Sequence, residues 1–74
     1  MPKTASGRKI IKILVNYFGF EVVRQKGSHV KLRKRIPAGH VTTIVPLHSE
    51  LAHGTLRGVL ELARIEWDNF EKYI

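Results

Sequence analysis

The chain contains no cysteine, so neither disulfides nor thiolate-bound metals enter its structure or chemistry, a usage compatible with a reducing compartment. Acidic residues are nearly missing from the first half, where Glu21 stands alone before Glu50. No apolar run approaches the roughly 18 residues that crossing a bilayer requires. The polar opening, residues 1–9, leads into an amphipathic segment instead of the apolar core of a signal sequence. His40, His48, Glu50 and His53 match no metal-ligand spacing. There is no internal repeat and no low-complexity tract. These absences predict a soluble, cytoplasmic protein without metal or cofactor, with residues 1–74 forming one domain. A chain of this size buries only about 60% of its unfolded surface, so its stability is modest and a partner protein can add to it.

What is abundant is positive charge. Thirteen Lys and Arg against six Asp and Glu give a formal charge of +7. Residues 1–35 hold ten bases and one acid, a balance of +9, whereas residues 36–74 hold three bases and five acids, a balance of −2. Solubility alone does not require that segregation. A concentrated positive region attracts polyanions, of which nucleic acid is the commonest in a cell.

Apolar spacing predicts an opening helix. Ser6 is a suitable N-cap, Ile10, Ile11, Leu14 and Phe18 recur on one side, and Gly19 supplies the left-handed residue that ends it. Two short alternating runs follow, residues 20–25 and 30–33, joined by Lys26-Gly27-Ser28-His29, and this is a hairpin signature with Gly27 at positive φ. Alternation sets Phe20, Val22 and Arg24 on one side of the first strand and Glu21, Val23 and Gln25 on the other. On the second strand it separates Val30 and Leu32 from His29, Lys31 and Arg33. Residues 33–39 read as a basic, turn-rich connection. A third strand at residues 41–45 ends at Pro46, which cannot donate to a ladder. The second helix is expected near Thr55, with Leu56, Val59, Leu60 and Ala63 inward and Gly58 allowing close packing. A short terminal helix carries Trp67, Phe70 and Ile74 as anchors.

The fold class is therefore α+β: α-β-β-β-α with a three-stranded antiparallel sheet, both helices on one face, and a short helical tail. The other face, carrying His29, Lys31 and Arg33, is left polar, basic and flat. That suits an RNA or DNA backbone better than a small-molecule pocket.

Four elements in order, Gly19-Phe20, Lys26-Gly27-Ser28-His29, Val45-Pro46-Leu47-His48 and Gly54-Thr55-Leu56-Arg57 before an apolar helix, resemble the HicA, or YcfA-like, toxin family over residues 6–70. The resemblance implies a double-stranded-RNA-binding-like fold and an endoribonuclease that cleaves messenger RNA to stop translation. It also implies a HicB-type antitoxin that binds and neutralises it. The histidine of the family's Gly-Ser-His motif is catalytic, and it corresponds here to His29. Lys26, Ser28, Lys31, Arg33, Lys34 and Arg35 are then the expected RNA-binding residues, with Gly27 as the turn and His48 as a candidate second acid-base group.

The chemistry is consistent with that assignment. RNA carries its own nucleophile, so a ribonuclease that uses no metal has to deprotonate the 2′-hydroxyl, align the attack and stabilise charge on the phosphorane and leaving oxygen. A neutral imidazole at His29 serves the first need and the neighbouring cations the last. A non-catalytic RNA-binding module of the same fold, with His29 contacting a phosphate or 2′-hydroxyl, is the alternative reading.

Overall fold

In the computed structural model, residues 3–74 are described; the first two residues of the polar opening lie outside the described residues. The first helix, α1, spans Gly7–Phe18. The Ser6 hydroxyl accepts a hydrogen bond from the Lys9 amide at 3.1 Å and so satisfies one of the free N–H groups of the first turn. Gly19, at φ 78°, ends the helix and returns its N–H to the Leu14 carbonyl. The buried side is Ile10, Ile13 and Leu14. Ile13 thus takes the place expected for Ile11, which with Phe18 lies half-buried at the margin of the core.

Three strands form an antiparallel meander in the order β1-β2-β3, with β1 at Glu21–Lys26, β2 at His29–Ile36 and β3 at Gly39–Pro46. Here the structure corrects the expected connection at residues 33–39. Strand β2 continues through Lys34, Arg35 and Ile36, which pair with Val41, His40 and Gly39, leaving only Pro37 and Ala38 as the turn. Ladder hydrogen bonds to β3 decide the conformation there, and charged side chains cost an exposed strand face little. A second correction concerns β1, where a bulge between Val22 and Arg24 shifts the alternation, so that Val22 faces Leu32 and Arg24 faces Lys31.

Helix α2 spans His53–Ala63 and starts two residues before the expected Thr55. Its start is set by Leu51, which is fully buried and whose N–H donates to the Ala5 carbonyl at 2.9 Å. The Thr4 hydroxyl donates to the Leu51 carbonyl at 2.7 Å, so the segment before α1 straps the entry to α2. Leu56, Val59, Leu60 and Ala63 are buried as expected. Gly58, however, faces open space, and nothing packs closely against it. The tail is a four-residue helix α3, Trp67–Phe70, followed by a 3-10 turn, Glu71–Tyr73.

Both long helices cover one face of the sheet, and Ile10, Leu14, Phe20, Val30, Leu32, Val45, Leu56, Leu60 and Phe70 share a single core. Among the described residues Thr43 is the one buried polar side chain of this core, and its hydroxyl donates to the Val59 carbonyl at 2.8 Å, joining β3 to α2. Phe70 is completely buried and stacks on Phe18 at 5.8 Å, while Tyr73 stacks on Tyr17 at 4.3 Å. The tail is thus part of the core. Trp67 and Ile74 flank it, half-buried.

One close approach sets how α1 meets the sheet. The Gly7 amide donates to the His48 carbonyl at 2.9 Å, and a Cβ at Gly7 would collide with the Pro46 carbonyl oxygen. Replacing Gly7 with alanine gains about 1 kcal/mol of helix propensity, but overpacking against backbone costs about 1–3 kcal/mol. Because the Pro46 carbonyl has no side-chain freedom with which to yield, Gly7→Ala is expected to lower the thermal midpoint; an unchanged midpoint would show that α1 can slide outward. Phe70→Ala removes a fully buried ring and is expected to cost about 3–5 kcal/mol in chemical denaturation, which a small domain cannot spare.

Candidate functional site

The Lys26-Gly27-Ser28-His29 stretch is a two-residue turn between β1 and β2. Gly27 sits at φ 60° with no atom close to where a Cβ would stand, so backbone conformation and not space is the reason for glycine. The turn is held from both sides. Gln25 donates from its side-chain amide to the Gly27 carbonyl at 3.0 Å, and the Leu47 amide donates to the Ser28 carbonyl at 2.7 Å. His29 therefore begins the central strand between Lys26 of β1 and Pro46 of β3. It is exposed.

Residues directly opposite one another in an antiparallel ladder share a face, so the register separates the two sides of the sheet. Val30 and Leu32 lie on the helix-covered side with Gln25, Val22, Val45 and Thr43. The open side carries Lys26, His29 and Pro46 in one row, Arg24, Lys31 and Ile44 in the next, then Glu21, Arg33 and Thr42, and lastly Arg35 and His40. Five bases and two histidines thus share the open face with one acid. A shallow depression opens there, lined by Arg24, Lys26, Ser28, His29, Lys31 and Ile44.

Lys26, Ser28, His29, Lys31, Arg33 and Arg35 are brought together at the turn and on this face. Lys34 is not. It pairs with Val41 on the helix-covered side, its stem passes Gly19, and its Nζ lies 5.9 Å from the centre of the Phe20 ring, a cation–π approach at the rim of the core. His48 is exposed and follows Leu47, whose amide holds the turn, so its backbone lies beside the hairpin tip. Its side chain does not line the depression, and among the described residues no hydrogen bond joins it to His29.

Two residues of the face escaped the sequence reading. Arg24 alternates with Val22, which predicts the helix-covered side, and the bulge carries it across. The consecutive valines 22 and 23 were the only sign, since a regular half-buried strand does not place two apolar residues in succession. Ile44 is 46% exposed in the middle of the basic surface, a position that its place in a β-branched run does not announce. The charge excess is also divided in space. Arg8, Lys9 and Lys12 sit on the outer side of α1, across the core from the open sheet face, so the positive region has two sides.

Chemically, the open face offers an exposed imidazole beside cations at a rigid turn, with an apolar floor at Ile44. Among the described residues no group of three potential metal-ligating side chains comes together, and no helix is long and apolar enough to cross a membrane.

A family model described as the HicA toxin of bacterial toxin–antitoxin systems matches residues 7–65. No curated protein matches the chain. The matched region runs from the first residue of α1 through the sheet and α2, includes the whole turn with His29, and stops before α3. Fold, motif order and family match agree, and the chain belongs to the HicA family of toxins, which act as one half of a toxin–antitoxin pair.

Proposed function

We propose that this toxin is an endoribonuclease that cleaves messenger RNA without a metal cofactor in the cytoplasm, with His29 as its catalytic residue. The observation that carries the reading is the position of His29 on the central strand, at a braced turn, in a depression rimmed by Arg24, Lys26 and Lys31. A backbone phosphate lying on that face meets cations on both sides of the imidazole. His29 takes the proton from the 2′-hydroxyl; the 2′-oxygen attacks the adjacent phosphorus and the bond to the 5′-oxygen breaks. The products are a 2′,3′-cyclic phosphate and a 5′-hydroxyl, with the leaving oxygen protonated by water or by His48 swinging in from the adjoining loop. Lys26, Lys31 and Arg24 stabilise the phosphorane. Arg33 and Arg35 extend the track along the same face, and Ser28 offers a hydroxyl to the phosphate. A HicB-type antitoxin neutralises the toxin by covering this surface.

The test is cleavage of a long messenger RNA in EDTA by the wild type and His29→Ala side by side. Removal of a general base is expected to slow cutting by about 10²–10⁴-fold while RNA binding is largely kept, and end analysis should show the cyclic phosphate. Equal cutting by both proteins would remove His29 from the chemistry. Binding without cutting by either would make this a non-catalytic RNA-binding module.

The two faces generate a second expectation. Arg24→Ala should weaken RNA binding and reduce the slope of log affinity against log salt by about one phosphate contact. Lys34→Ala, on the opposite side, should leave that slope unchanged. Salt titrations of both variants by fluorescence anisotropy compare them directly, and a larger effect at Lys34 would place the RNA elsewhere.

A further inference from the structure

The two edges of this sheet are unlike each other. Strand β1 is bulged at Val23 and carries Glu21, Arg24 and Lys26, the devices by which an edge avoids pairing with other chains. Strand β3, Gly39–Pro46, has no charged residue apart from a titratable His40, no irregularity in its register, and a β-branched run at residues 41–45. It is eight residues long and unguarded.

The phase of its backbone can be derived. Leu47 donates to the Ser28 carbonyl, so residues at even spacing from Leu47, namely Val45, Thr43, Val41 and Gly39, turn their N–H and C=O groups toward β2. His40, Thr42 and Ile44 turn theirs outward. None of these three makes a backbone hydrogen bond beyond the sheet among the described residues. Their side chains are those of the open face. Pro46, next in that series, presents a carbonyl and has no N–H. The free edge therefore offers three donors and ends abruptly at the row that contains His29.

We infer that the β3 edge is the docking strand for the antitoxin, which adds an acidic extended segment to the sheet beside His40, Thr42 and Ile44. The inference rests on the proposed neutralisation by a HicB-type partner and assigns its mode. Main-chain bonds supply the affinity of such an addition and alternate side chains its specificity. Charge selects the occupant. An added strand places every second side chain over the open face, next to His40, Thr42 and Ile44 and one strand removed from Arg35, Arg33 and Lys31. Carboxylates at those positions meet the long basic side chains across β3. A second copy of this chain is disfavoured at the same place, because pairing β3 with β3 brings two basic faces and two molecules of charge +7 together. Ile44 belongs to both the edge and the depression. A strand seated there covers the floor beside His29 without contacting the imidazole.

The experiment uses ¹⁵N-labelled toxin, free and co-purified with the antitoxin encoded with it, and follows amide hydrogen exchange. The amides of His40, Thr42 and Ile44 are expected to exchange freely in the toxin alone and to slow by about 100-fold or more in the complex. Unchanged exchange at these amides in a formed complex would overturn the inference, and so would protection in the toxin alone accompanied by a dimeric mass in light scattering. Thr42→Pro deletes one outward donor without touching the ladder to β2, and should weaken the complex about tenfold, the value of one hydrogen bond. Thr42→Val keeps the N–H and should bind as the wild type does. If Thr42→Pro melts early, the exchange measurement on the wild-type chain decides alone. Loss of RNA cleavage as an activity would leave these amide readouts unaffected, so the docking mode and the ribonuclease reading fail separately.

Discussion

Burial of Val30 and Leu32 beneath the helices holds the register of the central strand, and the chemistry of the open face follows from that register. The side-chain period of a strand is two, so a slip by one residue would turn His29, Lys31 and Arg33 into the core and the two apolar side chains into water. Both errors are costly, since each buried aliphatic side chain contributes about 1.5–3 kcal/mol and an unpaired buried cation costs more. The hydrophobic effect that folds the domain thus also selects which face is basic. The turn clamps at Gln25 and Leu47 and the Gly7–Pro46 approach refine a placement that this burial has already chosen.

The basic face works against the domain that carries it. Five cations share a small surface with Glu21 alone, and their mutual repulsion lowers the stability of a chain with a core of this size. A polyanion or an acidic protein relieves that repulsion on binding, so the same feature that destabilises the free toxin favours association with partners of opposite charge. Apolar surface at Ile44 and a free strand edge are features that a protein partner can use and a phosphate backbone cannot.

Much of this was legible in the chain. Helical spacing located α1 and α2, Ser6 and Gly19 marked the two ends of α1 where the structure has them, and alternation on β2 separated core from surface correctly. The turn at Gly27 was readable because positive φ selects glycine. What sequence did not disclose arose from pairing between strands. Residues 34–36 look like loop in isolation and become strand only because β3 offers partners. Arg24 changes face through a bulge that depends on its fit to β2. Lys34 is expected to bind RNA because it lies in a run of cations that reads as a loop; once β2 is seen to continue through residue 36, its alternation with Arg33 and Arg35 puts it on the opposite face. Gly58 suggests close packing from its place in the apolar helix, yet no atom lies near the position its Cβ would take. His48 lies near the turn by backbone while its side chain does not line the depression with His29, a distinction spacing cannot make.

The position of Phe70 has a consequence in time. Its ring completes the core beneath α1, and it is made after every residue of the sheet and of α2. During synthesis the basic hairpin leaves the ribosome after α1 and before α2 and Phe70, while the helix-covered face of the sheet still lacks part of its lid. A nascent chain at that stage has the residues of the open face without all of the packing that keeps them in register, so the core is completed late. For a toxin, such an order of assembly leaves the core incomplete until the whole region of the family match, residues 7–65, has been made.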